Sequence, residues 1–562
     1  MTRQETATFL RQYAVLLELL GEDSFRARAF DNAARSLEAQ SDSLESLIAG
    51  DRLVTIQGIG KGVAAAITEI STRGTFADLD RAREQVPPGV LELLRVEGLG
   101  PKKAQTLWRQ ASITSLAALE IALEAGVVAT LPGFGTKTAE KLRSGLAFIK
   151  SVSGRHWRHH AERTAQACRE AIENIAGVDE VFFGGSYLRG LETVGDLDIV
   201  VIAQFDRHED IRQSILRLPG LTWEETGRLL KGWTASRFPI ELSVVSPRDA
   251  VIRKLLVTGS HEHVQALRVV AEKRGYDLER IEAASEEDLY ARLGLEYVPP
   301  PLRESAKTVM SAGSKVFSDP VKASDIRGIL HCHTTYSDGH HTLRELAEAA
   351  SGRGYEYLGI ADHSQSAAYA RGLTPERVRE QWREIDELNR ELAPFRILKG
   401  TEVDVLADGS LDFADELLAG FDFVVASVHS GFNMTEAEAT RRICNALANP
   451  QVDILGHPTG RLLLERNGYP VNHEEVLQCA ARNGKAVELN CNPHRLDLDW
   501  RWLSRCEELG VPVPLCPDAH HVDGLWDIRF GIEVAAKGPL TAMNCLSVWD
   551  VNRFVSWCKD HE

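Results

Sequence analysis

Along the first 150 residues apolar side chains recur at i, i+3 and i+4, as in 9–20 and 63–70, and glycines break the pattern at short intervals. This predicts helices joined by tight turns. From 151 to 297 the period changes, and 181–183, 197–201 and 240–245 become β-branched runs of strand length between helical segments, a mixed α/β pattern. The stretch 298–323 is rich in Pro, Ser and Lys, has no period, and reads as a linker. Beyond it, seven apolar runs at 328–330, 357–360, 396–398, 423–426, 452–455, 486–489 and 511–515 alternate with helical segments. Repeating β/α units of this kind predict a barrel.

The 562 residues suffice for three or four domains, and 44% hydrophobic with 26% charged residues is the composition of a globular protein, neither disordered nor fibrous. Lys and Arg number 64 against 81 Asp and Glu, a net charge of −17 that argues against a chain-wide basic coat for nucleic acid. It does not exclude DNA, because a local basic face or bound cations override a global sum. Nine cysteines without a CxxC pair suggest neither a disulfide scaffold nor a thiolate zinc cluster, and fit a reducing cytoplasm. The N-terminus does not read as a signal peptide, and with no run of about 18 apolar residues no membrane span is expected.

Three glycine breaks in the helical part share one pattern. At 54–61, 94–102 and 131–137 two glycines flank one apolar residue: Gly58 and Gly60, Gly98 and Gly100, Gly133 and Gly135, with Lys61, Lys102 and Lys137 just downstream. Such a turn aims backbone N–H groups outward at a helix N-terminus, a site for phosphate. One copy is as readily an ordinary interhelix turn. Three copies with lysines indicate the helix-hairpin-helix, which grips the DNA backbone without reading bases.

Gly184-Gly185-Ser186 follows one strand, and Asp196-Leu197-Asp198 opens the next, ten residues after the serine. Alternation puts Asp196 and Asp198 on one face, where they can hold divalent ions while the Gly-Ser turn offers donors to a triphosphate. Glu241 on a neighbouring strand is the candidate third carboxylate of a two-metal phosphoryl-transfer site.

Six of the 18 histidines precede residue 330 and twelve follow it. Six of the seven late strand runs lead into metal-binding residue types: His331-x-His333, Asp362-His363, Glu402, His429, His457 and Asp518-x-His520, whereas the sixth run leads into Asn490-Cys491-Asn492. Groups gathered from the C-terminal ends of many strands form β/α barrel active sites. Imidazole and carboxylate without thiolate suit Zn²⁺, Mn²⁺ or Fe²⁺, and several such ions together can bind and hydrolyse a phosphodiester. Arg461 and Arg495 are candidates for substrate phosphate. A lone histidine at a strand end is more often a packed residue than a ligand, and that reading is kept for His340, His341, His494 and His521.

Together with 25–30 (FRARAF), 185–190 (GSYLRG) and 286–290 (EEDLY), these motifs make the chain similar, over nearly its whole length, to the bacterial family X DNA polymerases with a C-terminal PHP (polymerase and histidinol phosphatase) domain. The resemblance implies a multidomain α and α/β fold. Its parts are an N-terminal helical domain with the first helix-hairpin-helix (1–90), a helix-hairpin-helix fingers-like region (91–150), a nucleotidyltransferase palm and thumb with a mixed sheet (151–297), the linker, and a distorted (β/α)7 PHP barrel (324–562). It implies Mg²⁺ or Mn²⁺ on Asp196, Asp198 and Glu241, with Gly185, Ser186, Arg189, Thr258 and Gly259 at the incoming nucleotide. In the barrel it implies a cluster of three ions on His331, His333, Asp338, His363, Glu402, His429, His457, Asp518 and His520, with no position lost.

Five positions depart from the family. Glu241 is one methylene longer than the usual Asp, and a displacement of about 1 Å can cost on the order of a hundredfold in rate. Leu256-Val257 stands where Tyr-Phe precedes Thr-Gly-Ser, Val264 replaces an Asn, and Ala66 replaces the lysine of deoxyribose-phosphate lyase activity. The resemblance therefore implies a cytoplasmic, monomeric enzyme of base excision repair that binds gapped or 3′-recessed DNA, hydrolyses 3′ ends, and uses dNTPs in a weakened gap-filling reaction. A histidinol-phosphatase-like small-molecule phosphatase is the alternative, against which the three glycine repeats speak. A non-catalytic DNA-end scaffold is the other, against which the full ligand set speaks.

Overall fold

The structure, a computed structural model, describes residues 1–562 except 39, 41, 228, 314–316 and 560–562, and at 225 and 226 only the backbone. The chain divides into two units, Met1–Ser153 and Gly154–Glu562.

The first unit is helical, as its periodicity predicts. Its first helix, Arg3–Leu20, starts at a reciprocal cap between Thr2 and Glu5 and ends at left-handed Gly21. Leu10, Leu16 and Leu17 of that helix join Ala33, Leu37, Ile67, Leu107 and Leu142 in one core. Ala66, where the resemblance looks for a lysine, is buried in the same core.

In the second unit a five-stranded mixed sheet comes first: β1 (Val178–Phe183), β2 (Leu197–Ala203), β3 (Leu221–Thr226), β4 (Leu229–Thr234) and β5 (Pro239–Val245). The order is β1-β2-β5-β4-β3, with only the central β2–β5 pair parallel. Alternation splits β2: Leu197, Ile199, Val201 and Ala203 face the main core, while Val200 and Ile202 lie on the opposite face, the one that Asp198 shares by parity.

A small helical thumb follows, built from Ala250–Thr258, His261–Lys273 and Glu286–Arg292. Its centre is polar. Fully buried Arg303 makes two parallel bonds to Glu286 (3.2 and 2.6 Å), donates to the Val298 carbonyl at 2.8 Å, and lies between the rings of Tyr290 and Tyr297. The expected linker starts inside this core: Pro300–Leu302 and Ala306–Ser311 are short helices, and Val298, Val309 and Ala312 are buried. Its Pro and Ser residues begin helices here instead of loosening the chain. Residues 314–316 of that stretch lie outside the described residues.

His263 is buried beside Arg303, with its Nε2 2.7 Å from the Tyr290 hydroxyl. Burial, then the Arg303 cation, pushes its imidazole down from 6.5 to about 3. The unfolded chain takes up a proton near the ordinary value and the folded thumb does not. The stability His263 contributes above about pH 6.5 is therefore lost progressively as the pH falls toward about 3. Amide exchange in His261–Lys273, corrected for intrinsic rates, should accelerate between about pH 6.5 and 5, and less so in His263→Gln. Equal pH dependence in both proteins would contradict this.

The barrel strands are β6 (Gly328–Cys332), β7 (Tyr357–Ile360), β8 (Arg396–Asp404), β9 (Phe423–Ser427), β10 (Ile454–Leu455), β11 (Ala486–Val487), β12 (Leu489–Asn490) and β13 (Leu515–Cys516). β6 to β11 form one parallel sheet in chain order, β12 continues the path of β11 past Glu488, and β13 pairs with β12. A parallel bridge from Ala519 to Cys332 closes the ring of seven strand positions. Leu330, Tyr357, Leu398, Phe423 and Ala486 fill the lower interior with Phe554 and Cys558 of the C-terminal helix Val551–Lys559. Glycine makes room for them: a Cβ at Gly400 would sit 2.3 Å from the Phe423 ring. With that end plugged, the strands' C-terminal ends are left for chemistry.

Palm and barrel interlock. Buried Arg158 pairs with Glu533, Arg529 with Glu162, and Trp157 donates its indole N–H to the Leu463 carbonyl at 2.9 Å. Buried Lys537 of the barrel reaches Glu304 at 2.5 Å, and Glu304 in turn accepts from Arg189 of the palm at 2.8 Å.

Candidate active sites

The barrel's strand ends bring all nine expected ligands together. Glu402 is central: its carboxylate lies 2.8 Å from His457 Nε2, 3.1 Å from His429 Nε2, 3.4 Å from His331 Nε2 and 2.8 Å from His363 Nδ1. Asp518 is 3.2 Å from His333 Nε2, and Asp338 is 3.5 Å from His363 and 3.3 Å from His520. Three overlapping groups could each hold an ion: His333, Asp338, His363 and His520; His331, His333 and Asp518; His363, Glu402 and His429.

The donor set fits divalent cations. His331 Nε2, both nitrogens of His333 and His363 Nδ1 are buried without a hydrogen-bond partner, although carboxylate oxygens are close. Lone pairs and carboxylates thus converge on shared space instead of on each other, which would be costly without a cation. Burial, with His520 and His363 nearby, lowers the His333 imidazole to about 3 and keeps it in its neutral, ligating form. Burial alone would raise the Glu402 carboxyl, but the surrounding His429, His331 and His363 hold it well below the usual carboxylate range. His331 (φ 60°) and Asp518 (φ 52°) are held in the left-handed region, strain of the kind that gathers at functional sites.

The sequence reading missed an outer shell. Glu488, in the gap between β11 and β12, takes His331 Nδ1 at 2.5 Å and the His457 backbone N–H at 3.1 Å. Asn490 donates to Glu488 at 2.9 Å and to Asp518 at 3.1 Å, and Asp404 takes His429 Nδ1 at 2.6 Å. These partners fix which imidazole nitrogen faces inward. Asp362, beside a ligand in sequence, instead accepts from Thr334, Ser337 and Gln381 and anchors the loop that carries Asp338. The signal was present: the sixth strand run, the one that leads into no metal-binding residue type, supplies buried Glu488 and Asn490 at period two.

The two arginines expected at substrate phosphate separate. Arg495 lies at the cluster, 3.5 Å from Asp518. Arg461 does not face it: the guanidinium is spent on the Arg495 and Leu496 carbonyls, on Asp499 at 2.9 Å, and on palm Glu192 at 3.6 Å. It ties the barrel to the palm.

In the palm, Asp198 and Glu241 are direct partners across β2 and β5. Burial, then Asp196 and Glu241, raises the Asp198 carboxyl to about 7, the mark of carboxylates gathered without a cation. Among the described residues the three do not close into a compact ligand group, because Glu241 is paired with Lys231 of β4. The Gly-Gly-Ser turn touches this site: Gly184 N–H donates to the Asp198 carbonyl at 2.8 Å, and a Cβ at Gly185 would lie 1.9 Å from Asp198 Oδ2. The Ser186 and Thr258 hydroxyls are buried without partners. Arg189 is held by Glu304 and by the Thr258 carbonyl at 2.8 Å, and Gly259 packs against Val264. Val264, where the family has an Asn, is buried in the thumb core.

The three glycine turns of the first unit share one geometry. Gly58, Gly98 and Gly133 take left-handed φ of 90°, 84° and 80°. Gly60, Gly100 and Gly135 then cap the helices Lys61–Arg73, Pro101–Ala111 and Thr136–Val152 without side-chain bonds, and nothing lies within 4 Å of where their Cβ atoms would be. Lys61, Lys102 and Lys137 are exposed beside them. Each turn leaves helix N–H groups open to an anion.

Residues 1–76 match the description "Helix-hairpin-helix domain", 90–147 "SAM-like Helix-hairpin-helix tandem", 254–304 "DNA polymerase beta thumb" and 330–492 "PHP domain". The chain is 30% identical to a "Probable phosphatase" of Thermoanaerobacter sp. (strain X514), over 34% of this chain and 79% of that protein. It is 34% identical to a "Probable phosphatase" of Acetivibrio thermocellus (strain ATCC 27405), over 28% of this chain and 63% of that protein. Those similarities cover only the barrel. Similarity to "DNA polymerase/3′-5′ exonuclease PolX" of Bacillus subtilis (strain 168) instead spans both chains, 35% identical over 573 aligned residues and 99% of each. Helix-hairpin-helices, thumb and PHP domain in that order, with similarity from end to end, show that this chain belongs to the PolX family of DNA polymerase/3′-5′ exonucleases.

Proposed function

We propose that the barrel hydrolyses nucleotides from DNA 3′ ends and that the palm carries out a gap-filling synthesis slowed by Glu241. The observation that carries this reading is the convergence of nine His, Asp and Glu side chains, several with stranded buried nitrogens, on one barrel end. Three ions, of Zn²⁺, Mn²⁺ or Fe²⁺, would be held by His331, His333, Asp338, His363, Glu402, His429, His457, Asp518 and His520. Bound there, they supply Lewis-acid stabilisation of phosphodiester oxygens and a more acidic water. Glu488 and Asp404 hold the imidazoles in the ligating tautomer, and Arg495 offers a cation to the phosphate. In the palm, Asp196 and Asp198 would hold Mg²⁺ or Mn²⁺, with Gly185, Ser186, Arg189, Thr258 and Gly259 around the dNTP.

The exposed glycine turns and their lysines suit the phosphates of a gapped or 3′-recessed duplex. No helix among the described residues is long and apolar enough to cross a membrane. Nine unpaired cysteines support a reducing, cytoplasmic setting, and we read the enzyme as a monomer acting in base excision repair.

A gapped duplex incubated in Mn²⁺ with and without dNTPs tests both halves. Shortening of the 3′ end without dNTPs and only slow filling with them is expected. An intact 3′ end would overturn the hydrolase, and rapid filling the slowed palm. A phosphatase reading, favoured by the barrel-only relatives, would require turnover of histidinol phosphate to exceed that of a 3′-recessed duplex.

A further inference from the structure

We infer that Tyr369 is the platform on which the 3′-terminal base stacks while its phosphodiester meets the barrel's ligand cluster. The inference rests on the hydrolase reading above and adds what that site recognises.

Tyr369 stands on a pinned loop. Ser364 bridges to Leu373, a Cβ at Gly372 would lie 1.8 Å from the Ser364 carbonyl oxygen, and the Ser366 N–H donates to Asp412 at 2.7 Å. Ala367 and Ala370, either side of the tyrosine's short turn, are 1% exposed, and Arg371 completes it in a left-handed conformation. Between these anchors Tyr369 is 71% exposed.

Its ring centroid is 6.2 Å from His363 and 6.4 Å from His429, tilted by 56° and 69°, so it is stacked on neither. A phenol, with an ordinary pKa of about 10, is uncharged at neutral pH, so the ring is neutral. A rigid, neutral aromatic beside a phosphodiester site is what single-stranded nucleic acid stacks on without sequence preference. A small phosphate ester without a base gains nothing from it. Arg495, 3.5 Å from Asp518, brings a cation to the same cluster for the phosphate.

The test uses the full-length protein and its Tyr369→Ala and Tyr369→Phe variants on two diesters. Thymidine 5′-(4-nitrophenyl) phosphate carries a base, and methyl 4-nitrophenyl phosphate does not. Tyr369→Ala should raise KM for the thymidine ester about tenfold with kcat little changed, the scale of one lost stacking contact. It should leave the methyl ester unaffected, and Tyr369→Phe should behave as wild type on both. Equal losses on both esters, or a Tyr369→Phe loss matching Tyr369→Ala, would overturn the platform. If the wild type cleaves neither ester, the hydrolase reading fails first and takes the platform with it.

Discussion

Glu402→Gln should lose bound metal and 3′-end hydrolysis together. The substitution keeps shape and removes the charge that four imidazoles approach within 3.4 Å, so the His363–Glu402–His429 group loses its only carboxylate while His331 and His457 lose the one beside them. Loss of an outer partner of a ligand typically costs about 10- to 100-fold, and loss of this shared group should exceed that range. Metal content per chain and digestion of a 3′-recessed duplex would check it, with Glu488→Gln as the outer-shell comparison. His331→Ala with His333→Ala should abolish digestion while DNA binding persists. Normal metal content and digestion in Glu402→Gln would sink the assignment of the barrel.

Glu241→Asp should speed gap filling by up to about a hundredfold, the scale of correcting a displacement of about 1 Å. In the structure Glu241 lies beside Asp198 on the adjacent strand, yet its carboxylate is drawn to Lys231 on the other side. A side chain one methylene shorter reaches Lys231 less readily and leaves its charge nearer Asp198. Single-turnover insertion into a one-nucleotide gap with Mg²⁺ measures the gain. An unchanged rate would refute Glu241 as the cause and move the defect to Val257 or Val264, which pack against Gly184 and Gly259.

What the sequence disclosed followed the range of the interaction. The glycine turns were legible because a left-handed φ and an exposed helix start are local properties of a few residues. The gathering of the histidines at one barrel end was legible because they occupy strand ends, and strand ends follow from periodicity; Asp338, on a loop, needed the family resemblance. Glu488 and Asn490 were passed over because their period-two spacing in a short apolar run marks a shared face but not the distant histidine that this face meets. Arg461 was misread for the same reason: its position after His457 suggested the cluster, but its partner Glu192 belongs to the palm. The first part of the expected linker was hidden by composition, since Pro and Ser say nothing of Arg303, which the thumb buries against Glu286.

The interlock of palm and barrel constrains how the gene can change. A premature stop before the barrel would remove Lys537, Glu533, Arg529 and Arg461, leaving Glu304, Arg158, Glu162 and Glu192 without the partners they have at this interface. The truncated chain would give up all of these contacts at once and bare the Trp157 indole, whereas a substitution among the ligands leaves the interface whole. Lineages that dispense with 3′-end hydrolysis should therefore silence it by single codon changes among the ligands, retaining an inert barrel as scaffold for the half that still works.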